Sequence, residues 1–222
     1  PQGWWLRDKS EVLTRKTRLE WIISENWNQQ EISQRGKIND FILRKKILLV
    51  GAGCVGASIA EILVRSGVYS LTIIDSDIFE VGNLSRHVLN VDDIGGLKGL
   101  SLCNYLNSLN PHANVEVINN ALTIDGELKT NIDLDKYRII IDCTGENSVL
   151  DIIQSNNFKK RHIFASVSVG LGAKRLYITL MNNQTFDFKA FFDLIAPYLQ
   201  SERVLYNDYD LPRNGIGCWH PT

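Results

Sequence analysis

The chain has 222 residues, 44% of them hydrophobic and 22% charged, which suits one sizeable buried core and excludes a disordered segment. A formal net charge of -1 gives no overall attraction to nucleic acid or to an anionic membrane, so neither is expected as a partner. No apolar run approaches the roughly 20 residues of a membrane span, and Pro1-Gln2-Gly3-Trp4-Trp5 does not open a signal peptide, so a cytoplasmic place is expected.

Cys54, Cys103, Cys143 and Cys218 lie too far apart for a disulfide framework or a paired CxxC zinc site. The chain opens on an aromatic pair and stops at Cys218-Trp219-His220-Pro221-Thr222 without a closing element, as expected of a piece of a longer protein.

Residues 9–44 carry apolar positions at near-helical spacing among many charges, which predicts amphipathic helices. Lys46-Ile47-Leu48-Leu49-Val50 reads as a buried parallel strand, and Ala57 to Ser66 as a helix closed by Gly67. Leu71 to Asp75 is a second strand, and the polar, glycine-rich stretch 76–96 a long loop of the kind that carries function.

A helix follows from Leu97 to Leu109, stopped by Asn110-Pro111, then strands over 115–122, 138–142 and 163–169. Arg175 to Leu180 reads as a late strand, Phe188 to Leu199 as a short helix, and 201–222 as a loop. Strands alternating with helices predict an α/β fold with a doubly wound, mostly parallel sheet behind a helical lead-in. Three segments are expected: 1–45, 46–185 and a C-terminal one, 186–222.

Gly51-Ala52-Gly53-Cys54-Val55-Gly56 is a G-x-G-x-x-G between a strand and a helix, where Gly51, Gly53 and Gly56 permit a tight turn and the helix N-terminus offers N–H groups to phosphate. Asp75 ends the next strand, where a carboxylate can accept hydrogen bonds from ribose hydroxyls. These two features suit an NAD-dependent dehydrogenase and an adenylating enzyme equally. The next twenty residues separate them.

Asp75-Ser76-Asp77, Gly82-Asn83-Leu84-Ser85-Arg86-His87 and Asp93-Ile94-Gly95-Gly96-Leu97-Lys98 resemble the D-x-D, S-N-L-x-R-Q and G-x-x-K motifs of the ubiquitin-activating superfamily, that is, the ThiF, MoeB and HesA relatives. With Leu109-Asn110-Pro111 and Asp142-Cys143-Thr144 the resemblance spans about residues 46–180. It implies a Rossmann-like domain that uses ATP and magnesium (Mg²⁺) to adenylate the C-terminal carboxylate of a small protein or peptide. Family members are commonly homodimers, some lending an arginine across the interface from an N-terminal helix, for which Arg15 or Arg18 is placed.

The chemistry gives separate reasons for these residue types. A carboxylate attacking ATP brings two anions together and expels pyrophosphate, so cations must neutralise charge growing in the transition state. Arg86 can clamp phosphate oxygens bidentately, and Lys98 acts as a point charge beside them. Asn83 donates to a phosphate or holds the loop, and Asp77 orients an arginine or assists the metal.

The chain departs from the family in three respects. In Asp142-Cys143-Thr144-Gly145-Glu146-Asn147, the MoeB-like D-C-T-D-N loses its metal-contacting second aspartate to Gly145. Thr144 and Gly145 are kept as nucleotide contacts, and Asp142 and Glu146 become the metal candidates, since Mg²⁺ needs only one or two protein carboxylates beside phosphates and water. His87 replaces the usual glutamine, either as loop packing or as part of the site. The CxxC zinc pairs are missing. Together these variants look most like the bacterial activating enzymes of ubiquitin-like conjugation systems, including those of CBASS antiphage operons.

Such enzymes often pass the acyl group to their own cysteine and then to a conjugating partner. Cys218, flanked by Gly215 and Gly217 and followed by His220, is the candidate acceptor, because a thiolate is nucleophilic near neutral pH and a nearby histidine lowers its pKa. The rival readings are a sulfur-carrier or tRNA-modifying adenylase of the ThiF or MoeB type without a thioester, an NAD-dependent oxidoreductase, and a non-catalytic binding module.

Overall fold

The computed structural model describes residues 2–206 apart from 13, 15, 17, 19, 37, 119–122, 125, 126, 129–131, 171 and 172. Arg15, Cys218 and His220 therefore lie outside the described residues.

The lead-in is helical only in short pieces. Helix α1 (Gln2–Arg7) runs into a π-helical turn, and α2 (Gln29–Ser33) and α3 (Asp40–Leu43) start behind Asn28 and Asn39, whose side chains accept from the backbone N–H groups of Gln30 and Phe41. Trp21, Ile22 and Ile23 are about 90% exposed. A helix draws most of its stability from an apolar face it can pack, and these residues have nothing beneath them. Ile38, Ile42 and Leu43 do reach the core.

From Lys46 the chain alternates strand and helix as its apolar pattern predicts. β1 (Lys46–Val50), α4 (Cys54–Arg65), β2 (Ser70–Ile74), α5 (Lys98–Leu109) and β3 (Asn114–Ile118) form the first half. A short hairpin of β4 (Thr123–Ile124) and β5 (Glu127–Leu128) intervenes. β6 (Ile139–Asp142), α6 (Asn147–Ser155), β7 (His162–Val169), β8 (Leu176–Asn183) and α7 (Phe188–Tyr206) complete it.

Six strands make one sheet in the order β3-β2-β1-β6-β7-β8, parallel except for β8. The order reverses between β1 and β6, so a crevice opens beyond their C-terminal ends, where doubly wound folds bind ligands. The strand ends are level there, with Val50 beside both Ile74 and Asp142.

The central strands β1, β2 and β6 are buried on both faces, which is why they are largely apolar. One face packs Ile47, Leu49 and Ile73 against Ala57, Ala60 and Val64 of α4 and Leu102 and Leu106 of α5. The other packs Leu48, Val50 and Ile140 against Val149, Leu150, Ile152 and Ile153 of α6, with Phe186 and Phe191 joining them. Helix α4 ends as expected at Gly67, whose φ of +94° allows the Gly67 and Val68 N–H groups to bond back to Val64 and Leu63.

Two segments differ from expectation. Helix α6 was not anticipated, and α7 runs on to Tyr206 instead of giving way to a loop. The added turns of α7 carry Glu202, 3% exposed, whose carboxylate lies 3.5 Å from Arg175 at the start of β8.

Candidate active site

The site is built outward from the end of β1. Gly51 has a φ of +90°, and a Cβ there would stand 3.0 Å from the Cys143 backbone and the Thr144 side chain. Gly56, one turn into α4, lies so close to the Gly51 carbonyl that any Cβ would overlap it. Glycine is thus required at both places, by the turn at Gly51 and by the close approach of helix to strand at Gly56. Gly53 is the N-cap of α4 and supplies no side-chain bond. The N–H groups of the helix's first turn are therefore left for an anion.

Asp75 grips this turn from the neighbouring strand. Its Oδ2 accepts from the Ala52 N–H at 2.6 Å and its Oδ1 from the Asp77 N–H at 2.8 Å. Burial pushes its carboxyl up against the pull of these two donors and of the Lys98 charge. Each oxygen keeps a second lone pair, the capacity a ribose diol needs.

The loop from Ser76 to Leu97 is closed at its base. Ile78 bridges Leu97, Phe79 exchanges backbone bonds with Gly95 and Gly96, and the Lys98 N–H donates to the Asp77 carbonyl. The buried ring of Phe79 anchors it. Within it Asn83 closes a 3₁₀ turn, its Oδ1 accepting from the Glu80 N–H at 2.9 Å, which gives it the loop-holding role. Arg86 follows, half-buried, and among the described residues its guanidinium has no carboxylate partner.

Lys98 opens α5 with a side chain only 9% exposed, its Nζ 2.8 Å from Asp77 Oδ2. A buried ammonium without a counter-charge is costly, and Asp77, itself 69% exposed, supplies the charge. Gly99 makes this position possible: a Cβ there would meet Val117 at 2.9 Å and the Asp75 carbonyl at 3.1 Å. Sequence reading did not single out Gly99, although a glycine in the first turn of a helix is itself a sign of close approach.

Two further roles emerged only from the geometry. His87 Nε2 lies 2.7 Å from the Ala52 carbonyl and its Nδ1 accepts from the Leu89 N–H at 3.2 Å. Ser166, in the middle of β7, donates to Asp142 Oδ2 at 3.0 Å, and nothing in its sequence context marks it.

Asp142 is 1% exposed, and its Oδ1 accepts from both the N–H and the hydroxyl of Thr144, at 3.1 and 2.6 Å. Burial still pushes its carboxyl up. With Thr144 turned back on Asp142 and Ser166 on the other oxygen, this carboxylate braces the loop after β6. Gly145 has a φ of +71° in open space, and Glu146, exposed at the N-cap of α6, presents its carboxylate to solvent. Among the described residues no group of three or more His, Cys, Asp or Glu is arranged to hold a metal by itself.

Cys54 opens α4, Cys143 is buried after β6, and the Cys103 thiol points at the Val115 carbonyl, its pKa raised by burial. No described helix is long and apolar enough to cross a membrane.

The ThiF family's sequence pattern matches residues 24–203, from before α2 into α7. The chain belongs to the ThiF family. It is 34% identical over 219 residues to the ATP-dependent ubiquitin transferase-like protein Cap2 of Enterobacter hormaechei, covering 97% of this chain and 35% of Cap2. It is also 35% identical over 128 residues to the adenylyltransferase and sulfurtransferase UBA4 of Candida albicans, covering 56% of this chain and 28% of that protein. The chain thus spans about a third of these relatives' length. Among solved structures, Escherichia coli MccB with ATP shares the fold, with a TM-score of 0.56 at 19% identity over 73% of this chain and 49% of MccB.

Proposed function

We infer that this ThiF-family chain adenylates the C-terminal carboxylate of a small protein or peptide with Mg·ATP and passes the acyl group to a cysteine, Cys218, for conjugation. One observation carries the reading: Asp75 holds the glycine turn beside the switch in strand order, Lys98 lies buried against Asp77 next to it, and Arg86, in the loop between them, has no carboxylate partner among the described residues. The similarity to Cap2 along nearly the whole chain supports ubiquitin-like substrates and an antiviral setting. MccB, of the same fold, was solved with ATP and with the peptide MccA.

In this reading the first turn of α4 and the glycine loop receive phosphate, and Asp75 receives the ribose. A carboxylate oxygen of the substrate attacks the α-phosphorus, the bond from that phosphorus to the bridging oxygen breaks, and pyrophosphate leaves. Arg86 and Lys98 neutralise the charge that builds on the phosphates, the task for which preorganised cations are most effective. Mg²⁺ would supply further charge neutralisation at the phosphates, and Glu146 is the carboxylate that would hold it, because Asp142 already accepts three hydrogen bonds. The Cys218 thiolate then attacks the acyl carbon, AMP departs and a thioester remains. A homodimer and a conjugating-enzyme partner complete the proposal.

The similarity to UBA4 favours a second reading, a sulfur-carrier adenylase that needs no thioester at Cys218. ATP–pyrophosphate exchange with candidate tails, run in the full-length protein, tests both. Cys218→Ala is expected to leave exchange intact and to abolish a thiol-sensitive adduct with the carrier protein. An adduct that survives this change moves the acceptor elsewhere, and absence of exchange with any carboxylate tail sinks the adenylation reading.

A further inference from the structure

His87 lies between the two loops that make the nucleotide site, and both its ring nitrogens are in use. The Leu89 N–H donates to Nδ1, so Nδ1 must be the lone-pair nitrogen and the ring proton sits on Nε2. That proton is then donated to the Ala52 carbonyl, 35 residues earlier in the glycine turn. The ring packs edge-on against buried Phe79, centroids 5.0 Å apart, which fixes its plane. Ala52 is the residue whose N–H is held by Asp75, so one peptide of the turn is gripped from both sides. Arg86 is the immediate neighbour of His87, and the N–H groups of both donate to the Asn83 carbonyl.

We propose that His87 is a positioning residue that, as a neutral imidazole with its proton on Nε2, ties the phosphate-binding turn to the loop carrying Arg86 and so sets the distance between the two halves of the nucleotide site. The proposal rests on the nucleotide reading above only for its effect on binding; the tie itself is a property of the fold. A tie of this kind can be made by only one protonation state. A protonated ring carries an N–H on Nδ1 as well, which would confront the Leu89 N–H, donor against donor.

The surroundings hold the ring neutral. Burial lowers its pKa and the Lys98 ammonium on α5 acts in the same direction, while the bond to Ala52 and the carboxylates of Asp75 at the end of β2 and Asp93 in the same loop oppose them, and the lowering prevails. The sign for stability follows. A histidine whose folded pKa lies below its ordinary value of about 6.5 contributes fully above that value, and the contribution is lost as pH falls from there through the folded pKa.

Three variants separate a hydrogen-bonded tie from a merely packed ring. His87→Ala removes everything, His87→Phe keeps the ring against Phe79 but loses both bonds, and His87→Gln keeps one donor and one acceptor on a single carbon while losing the titration. Thermal melts without nucleotide and ATP binding by calorimetry, each at pH 8 and pH 5.5, are the readouts. At pH 8 His87→Ala and His87→Phe are expected to melt roughly 3–6 °C below wild type, the size two lost hydrogen bonds imply for a chain of this length. Both are expected to bind ATP about tenfold or more weakly.

His87→Gln is expected to recover most of both losses, and to lose less between pH 8 and pH 5.5 than wild type does. Comparing variants at the same pH removes the titration of ATP itself and of Asp75. A wild-type His87→Phe would show that packing alone matters and overturn the proposal, as would a His87→Gln no better than His87→Ala or a wild type no more acid-sensitive than His87→Gln. If wild-type protein fails to bind ATP, the nucleotide reading falls, while the order of melting temperatures still decides the tie.

Discussion

Asp75 and Asp142 flank strand β1 at the same end of the sheet, both carboxyls pushed up by burial, and they do different work. Asp75 takes one backbone donor on each oxygen and stays partly open to the crevice. Asp142 takes Thr144 twice and Ser166 once and is sealed. The contrast extends to the two walls of the crevice. The wall from β1, β2 and the following loop carries Arg86, with no carboxylate partner among the described residues, and Lys98 beside Asp77, whereas the wall from β6 and β7 ties its polar groups to one another. A strand-end aspartate therefore declares its role through the donors around it and its exposure, and the residue type alone leaves the role open.

That comparison can be broken at either wall. The largest effect is expected on the cationic side: Arg86→Ala or Lys98→Ala should cut adenylate formation by roughly 10²–10³, the range for losing one preorganised transition-state donor, with the fold retained. Pyrophosphate exchange near the wild-type rate in both variants would erase the distinction between the walls.

Next in size is the cost of opening the sealed wall. Asp142→Ala strands the buried donors of Thr144 and Ser166 at about 1–3 kcal/mol in total, a loss of roughly 3–9 °C in melting temperature for a chain of this size. Asp75→Ala exposes backbone N–H groups that water can reach, so its melting temperature should fall less while its ATP affinity falls more. If the two variants reverse that order in calorimetry, the assignment of brace and ligand is inverted.

The smallest effect concerns acid. A carboxyl whose folded pKa is raised binds its proton earlier in the folded than in the unfolded chain, so stability increases as pH falls from the raised value toward the ordinary carboxylate value near 3.8. Asp142→Asn removes that term. Wild type should therefore gain stability relative to the variant as pH falls through this window. A wild type that instead loses stability relative to the variant over this window would show Asp142 to be stabilised as a carboxylate by its three donors after all.

Much of this was legible from local pattern. The strands at 46–50, 71–75 and 138–142 were evident because a parallel strand buried on both faces is largely apolar, and Gly51, Gly56 and Gly67 stood where turn geometry or close packing admits little else. Helix α6 is equally legible in the spacing of Val149, Leu150, Ile152 and Ile153. The lead-in was misjudged. Helical periodicity over residues 9–44 says which face a helix would bury, and only three-dimensional packing says whether anything lies beneath it.

The sequence by itself determined the doubly wound sheet, the phosphate turn, and the residue types of the site, because each is carried by apolar period, turn residues and motif spacing along the chain. It could not determine which of those side chains are committed elsewhere. That Asp142 is closed off by Ser166 from β7, that Lys98 is neutralised by Asp77, and that His87 reaches Ala52 are facts about residues 21–35 positions apart. Such pairings exist only once the sheet order brings the strand ends level, so the division between open and closed walls was left to the tertiary structure.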